Sequence, residues 1–140
     1  MIKVVADTNV YISAILFGGK AEEIRKLVRE GQVQLLISET ILAEMAGILK
    51  RKFNWLDWQI SEVIKDIRAI TILITPTSTL SVIKEDEPDN RVLECAAKRK
   101  AQYIISGVEH HLQPLKEYRG IKILSQAQFI ELMKLEKNKT

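Results

Sequence analysis

The sequence predicts an α/β protein with a central, mainly parallel sheet between two layers of helices. Short β-branched or apolar runs alternate with amphipathic helical segments, and the first run, 2–6, is mostly apolar. Strands without polar alternation are covered on both faces, which is typical of parallel sheets. Parallel neighbours need crossover connections, and the intervening helices supply them. We therefore expect a three-layer α/β/α domain.

The individual elements follow from local patterns. Apolar runs predict strands at 2–6, 33–37, 71–75, 103–105 and 121–124. Apolar residues at helical spacing predict helices at 9–17, 21–30, 39–51, 58–70, 89–100 and 126–135. Gly18 and Gly19 end the first helix, since glycine suits a helix C-terminus, whereas Ser38 and Ser125 are suited to cap later ones. Pro88 fits a first helical turn, where its missing N–H has no partner to lose.

Composition bounds the class of protein. The chain has 140 residues, 46% of them hydrophobic, which is enough for one core. We expect a single domain over 1–135 and a frayed tail over 136–140. Cys95 is the only cysteine, and no secretory signal or membrane-spanning run is present, so we expect a cytoplasmic protein that contacts no membrane. The formal net charge of +3 allows a polyanionic partner without requiring one.

Two acids stand in otherwise apolar settings. Asp7 directly follows the first strand, and in open α/β sheets ligands bind just outside the carboxyl ends of strands. Glu44 shares a helical stripe with Ile41, Met45 and Ile48. A buried carboxylate without a partner is costly, so Glu44 is paired, protonated, at the edge of the stripe, or bound to a cation.

A third acid, Asp89, begins another inward stripe that continues at Val92 and Leu93. Helix capping explains Asp89 equally well, and the neighbouring Asp86 and Glu87 could also cap. Grouped at one edge of the sheet, Asp7, Glu44 and Asp89 would form an oxygen-rich site for a hard divalent cation. Mg²⁺ or Mn²⁺ suits such a site better than zinc, because no cysteine or histidine accompanies the acids.

Several stretches match a known family in order and spacing. They are 5–10, 38–44, 86–96, 103–107 and 121–124. With them the chain resembles PIN domains, particularly the small prokaryotic PIN proteins that are toxin components of toxin–antitoxin pairs. The resemblance implies a compact α/β/α fold and a metal-dependent ribonuclease site with one or two Mg²⁺ or Mn²⁺ ions. It also implies an RNA substrate, an antitoxin partner and often a homodimer.

Carried over position by position, the resemblance places the family's acids on Asp7, Glu44 and Asp89. It places supporting polar side chains on Asn9 and Ser106.

One position departs from the family pattern. The family usually has an aspartate directly after the Ser/Thr-Gly pair, and this chain has Val108 there. Valine cannot bind a metal ion. Either Asp86 or Glu109 substitutes for the missing acid, or the site holds fewer ions, or activity is reduced. The nearby His110 and His111 are expected in a surface loop, since neither lies at a ligand spacing.

The leading functional hypothesis is metal-dependent hydrolysis of RNA. Candidate phosphate contacts, each also explicable as a solvated surface residue, are Arg91, Lys50, Arg51 and Lys52. The alternative hypothesis is a degenerate PIN domain that binds RNA or a protein partner without cutting. A phospho-accepting receiver-like domain is disfavoured, because such a site needs a lysine after a late strand, where this chain has Ser106, Gly107 and Val108.

Overall fold

The computed structural model describes residues 2–75, 87–98, 100–107 and 117–138. Within these residues the strands are β1 (Ile2–Ala6), β2 (Val33–Ile37), β3 (Thr71–Leu73), β4 (Tyr103–Ile105), β5 (Glu117–Tyr118) and β6 (Ile121–Leu124). The helices are α1 (Thr8–Phe17), α2 (Lys20–Arg29), α3 (Glu39–Phe53), α4 (Asp57–Ile70), α5 (Glu87–Lys98) and α6 (Gln126–Asn138).

The strands form one sheet in the order β3-β2-β1-β4-β6-β5. The first five of these are parallel, and β5 runs antiparallel to β6. From β1 the chain adds strands on one side and later returns to add β4 on the other side. Ligands bind in α/β sheets at such a reversal of strand order. We therefore expect a ligand-binding crevice just outside the carboxyl ends of β1 and β4.

Both faces of the sheet are covered. Successive side chains of a strand point to opposite faces, and Val4 and Val5 are both fully buried, as are Ile104 and Ile105. Helices must therefore pack on each side. The predicted three-layer α/β/α class is confirmed. No helix in the described parts of the chain is both long and apolar enough to span a bilayer.

The differences from the predicted elements lie at edges and ends. The edge strand β3 stops at Leu73, where Ile72 and Leu73 are exposed. β5 was not predicted, because two residues carry no periodic pattern; a turn through Gly120, with a φ of 82°, joins it to β6. The last helix continues to Asn138, three residues beyond its expected end.

The thiol of Cys95 reports on the packing of this core. Cys95 is fully buried on α5, and burial raises the pKa of its thiol to about 12. We therefore expect Cys95 to remain a protonated thiol at pH 8 and to resist a disulfide reagent such as DTNB in the native protein. Absorbance after mixing measures the reaction, and urea-unfolded protein, which should release one equivalent, is the control. Rapid, complete reaction of the native protein would contradict this burial.

Candidate active site at the carboxyl ends of β1 and β4

Asp7 connects the end of β1 to the beginning of α1. Its side chain is fully buried, and its backbone N–H donates to the carbonyl oxygen of Ile105 at 2.9 Å. Asp7 is also the N-cap of α1, where its Oδ1 accepts a hydrogen bond from the Val10 N–H at 3.0 Å. A carboxylate suits this position because the first N–H groups of a helix have no helical partner and the helix dipole favours an anion there.

Two further donors reach Asp7 from the end of β4. The Ser106 hydroxyl donates to Asp7 Oδ2 at 2.7 Å, and the Gly107 N–H donates to the same oxygen at 3.1 Å. Ser106 is itself fully buried, and its N–H donates to the Leu124 carbonyl at 2.9 Å. These hydrogen bonds offset part of the desolvation of the buried carboxylate and fix its orientation. Ser106 thus contacts Asp7 directly, whereas its supporting role in a metal site stays a prediction.

Glu44 lies at the edge of the inward stripe of α3. Ile41 and Met45 are buried, whereas Glu44 is only partly buried. Its carboxylate has no hydrogen bond or ion pair with any residue in the described ranges. Of the alternatives that the sequence left open, the structure thus favours the edge of the stripe. α3 packs against α1 and α5, so Glu44 is on a helix that neighbours those beginning near Asp7 and Asp89.

The third acid is placed only by its backbone. Asp89 is in the first turn of α5, as predicted, but its side chain lies outside the described residues. The position of the missing acid, its possible substitutes and the two histidines lie wholly outside the described residues. These are Asp86, Val108, Glu109, His110 and His111. Among the side chains that are described, no three acids, histidines or cysteines are close enough to share a metal ion. That statement does not cover a group that includes Asp89, because the Asp89 side chain is not described.

The remaining predicted residues are spread over the surface. Asn9 is exposed on α1. Lys50 pairs with Asp57 of α4 at 3.2 Å, while Arg51 and Lys52 are exposed.

The predicted phosphate contact Arg91 has an acidic neighbour. Its Nη2 lies 3.0 Å from Oε2 of Glu94, and the Glu94 side chain is only 8% exposed. Sequence reasoning missed Glu94, although it stands among four buried residues of α5; the signal was an acid within the apolar run 92–96.

Two buried hydroxyl groups near Asp7 were also missed. Thr8 Oγ1 and the Tyr11 hydroxyl have no hydrogen-bond partner within the described residues. Burial raises the pKa of Tyr11 far above its usual value, and the nearby Cys95 and Asp7 add to that effect, so Tyr11 remains protonated. Thr8 directly follows Asp7 in the sequence, and an unpartnered hydroxyl oxygen is a ligand type that a hard divalent cation accepts.

Comparison with known proteins identifies the family. The profile of the PIN domain matches residues 3–108. This chain belongs to the PIN domain family. Proteins of this family are generally nucleases that use divalent metal ions. An uncharacterized protein of Methanocaldococcus jannaschii is 30% identical in an alignment 127 residues long, and the match covers 87% of this chain and 81% of that protein.

A solved structure shares the PIN fold. It is the structure of VapBC2 from Rickettsia felis bound to a DNA fragment from their promoter. The matched chain has a TM-score of 0.63 and 14% identity, and the match covers 87% of this PIN domain protein and 97% of that chain. At this identity the likeness concerns the fold alone, and it confirms the predicted three-layer architecture.

The hydrogen bond from Ser106 can be tested through stability. We expect Ser106→Ala to lower the free energy of unfolding by about 1–3 kcal/mol, because a buried carboxylate oxygen loses a donor. Urea denaturation measures the change. Ser61→Ala, which truncates an exposed serine within α4, is the matched control and should change stability by less than about 0.5 kcal/mol. Equal stability of Ser106→Ala and the parent would mean that this hydrogen bond does not stabilise the site.

Proposed function

We propose that this PIN domain protein is a metal-dependent endoribonuclease and the toxin of a toxin–antitoxin pair. The observation that supports the proposal best is the buried, hydrogen-bonded carboxylate of Asp7 at the adjacent carboxyl ends of β1 and β4. An uncharged asparagine or serine would cap α1 about as well without the cost of burying a charge. A charge that the fold does not need, placed where α/β sheets bind ligands, favours a chemical role.

The carboxylates of Asp7, Glu44 and Asp89 would hold one or two Mg²⁺ or Mn²⁺ ions. The oxygen chemistry of this set and the unpartnered Thr8 oxygen in the described part of the site both fit such ions. When bound, the metal lowers the pKa of a water molecule and stabilises negative charge on the phosphate and the leaving oxygen. Ser106 and Gly107 hold the Asp7 carboxylate in a fixed orientation, so ligand geometry does not depend on a flexible side chain.

The proposed site has three acids rather than four. Val108 occupies the place where the family usually has an aspartate, and Asp86 and Glu109 are the nearest acids in the sequence that could replace it. Asn9 would support the site from α1. RNA is the proposed substrate, and the positive formal net charge is compatible with a polyanion.

The Rickettsia felis structure is a VapBC2 assembly on promoter DNA, which supports an antitoxin partner for this chain. We further propose, from the resemblance to small prokaryotic PIN proteins, that this chain acts in the cytoplasm, forms a homodimer and has an antitoxin that blocks its acidic site.

Glu44→Gln is the sharpest test of the activity. Because Glu44 has no described partner and is partly exposed, the substitution should leave folding unchanged, yet it removes a metal-binding charge. We expect kcat for cleavage of single-stranded RNA with Mn²⁺ to fall by about 100-fold or more. Asp7→Asn should give a similar loss. Glu62→Gln, at an exposed position of α4, is the control and should cleave like the parent.

The outcome also separates the two functional hypotheses. Cleavage by Glu44→Gln and Asp7→Asn at the parental rate would refute the proposed site. If the parent binds RNA without cleaving it and Val108→Asp cleaves, the non-cleaving alternative is favoured instead, with the missing acid as its cause.

A further inference from the structure

Gly47 lies in the middle of α3. Glycine inside a helix is less favourable than alanine by about 1 kcal/mol, so a local reason for it is expected. A Cβ atom at position 47 would lie 2.7 Å from Nη1, 3.0 Å from Nη2 and 3.1 Å from Cζ of Arg51. The guanidinium group therefore occupies the space that any larger residue at position 47 would fill.

The same geometry sets the direction of Arg51. Helical side chains lean toward the N-terminus, and a rotation of about 100° per residue places Arg51 within roughly 20° of Glu44 around the helix axis. Gly47 is about 4.5 Å along the axis from Glu44. The Arg51 guanidinium is thus folded back along the edge of α3 that carries Glu44.

Two ion pairs show that this edge faces away from α4. Glu39 pairs with Arg68 at 2.7 Å and Lys50 pairs with Asp57 at 3.2 Å, so their side of α3 faces α4. The edge with Glu44 and Arg51 lies about 120° further round the helix. Arg51 is exposed and forms no ion pair with another described residue.

We propose that Gly47 leaves space for the Arg51 guanidinium, and that this guanidinium binds a phosphate of RNA beside the one that is cut. This inference rests on the proposed ribonuclease function and selects Arg51 from the basic residues at the end of α3. A planar guanidinium can bind two phosphate oxygens at once, and the absence of a Cβ at position 47 leaves room for it beside the helix. Arg51 is then a positioning residue for the substrate.

RNA binding tests the proposed roles of Gly47 and Arg51 separately from catalysis. The affinity of the full-length protein for a short fluorescent single-stranded RNA is measured by anisotropy in EDTA, where metal-dependent cleavage does not occur. We expect Arg51→Ala to weaken binding by about tenfold and to reduce the slope of log K against log salt by about 0.7. Gly47→Ala keeps every charge, yet should weaken binding by about three- to tenfold because the new Cβ displaces the guanidinium.

The double variant and a control complete the design. Gly47→Ala combined with Arg51→Ala should bind no more weakly than Arg51→Ala alone, since both changes remove one interaction. Lys65→Ala removes an exposed charge from α4 and should change affinity by less than about twofold. Thermal melting should show Gly47→Ala to be at least as stable as the parent, because alanine favours the helix.

Any of three results would contradict the proposed roles of Gly47 and Arg51. They are an RNA affinity of Gly47→Ala equal to that of the parent, a loss of RNA affinity in Lys65→Ala equal to that in Arg51→Ala, and a parent that does not bind RNA. With Mn²⁺ present, the variants should raise KM and leave kcat unchanged, which a general loss of structure would not do. If cleavage proves independent of Glu44, the proposed function fails while the affinities in EDTA still decide whether Arg51 contacts RNA.

Discussion

The buried carboxylate of Asp7 determines how the rest of the site is assembled. Burying a charge without hydrogen bonds costs several kcal/mol, so the fold must bring donors to Asp7. One comes from α1, and the others come from Ser106 and Gly107, about a hundred positions along the chain. They reach Asp7 only because β4 pairs with β1 so that Ile105 lies opposite Ala6. The strand order and the site therefore depend on each other.

The orientation of α3 is the second constraint on the crevice. The ion pairs between α3 and α4 are exposed, and such pairs contribute little to stability. Burial of Ile41, Met45 and Leu49 contributes much more, since each is almost completely removed from water. Core packing therefore fixes the rotation of α3, and that rotation places Glu44 at the edge of the stripe. The position of this acid follows from the apolar residues around it.

The sequence predicted the features that depend on long or unambiguous patterns. The bounds of β2 and β4 are confirmed, because a short, mainly apolar run between polar residues marks both ends of a buried strand. Periodicity located the stripe of α3 but not its width, so it could not place Glu44 at the edge. The two residues of β5 were too few to show a pattern. The buried Tyr11 and Glu94 were missed, because helical spacing alone does not reveal which polar groups tertiary packing will cover. The metal-binding trio stays a prediction.

Two residues depart from the best local choice for stability, and both have a part in the proposed activity. Asp7 carries a buried charge where an uncharged cap would serve, and Gly47 interrupts a helix where alanine would stabilise it. One is at the end of a strand and the other within a helix, so no shared structural requirement explains them. Such departures are expected where function opposes stability. Because Asp7 would bind the metal and Gly47 leaves room for the guanidinium that would bind the substrate, the single proposed activity would account for both.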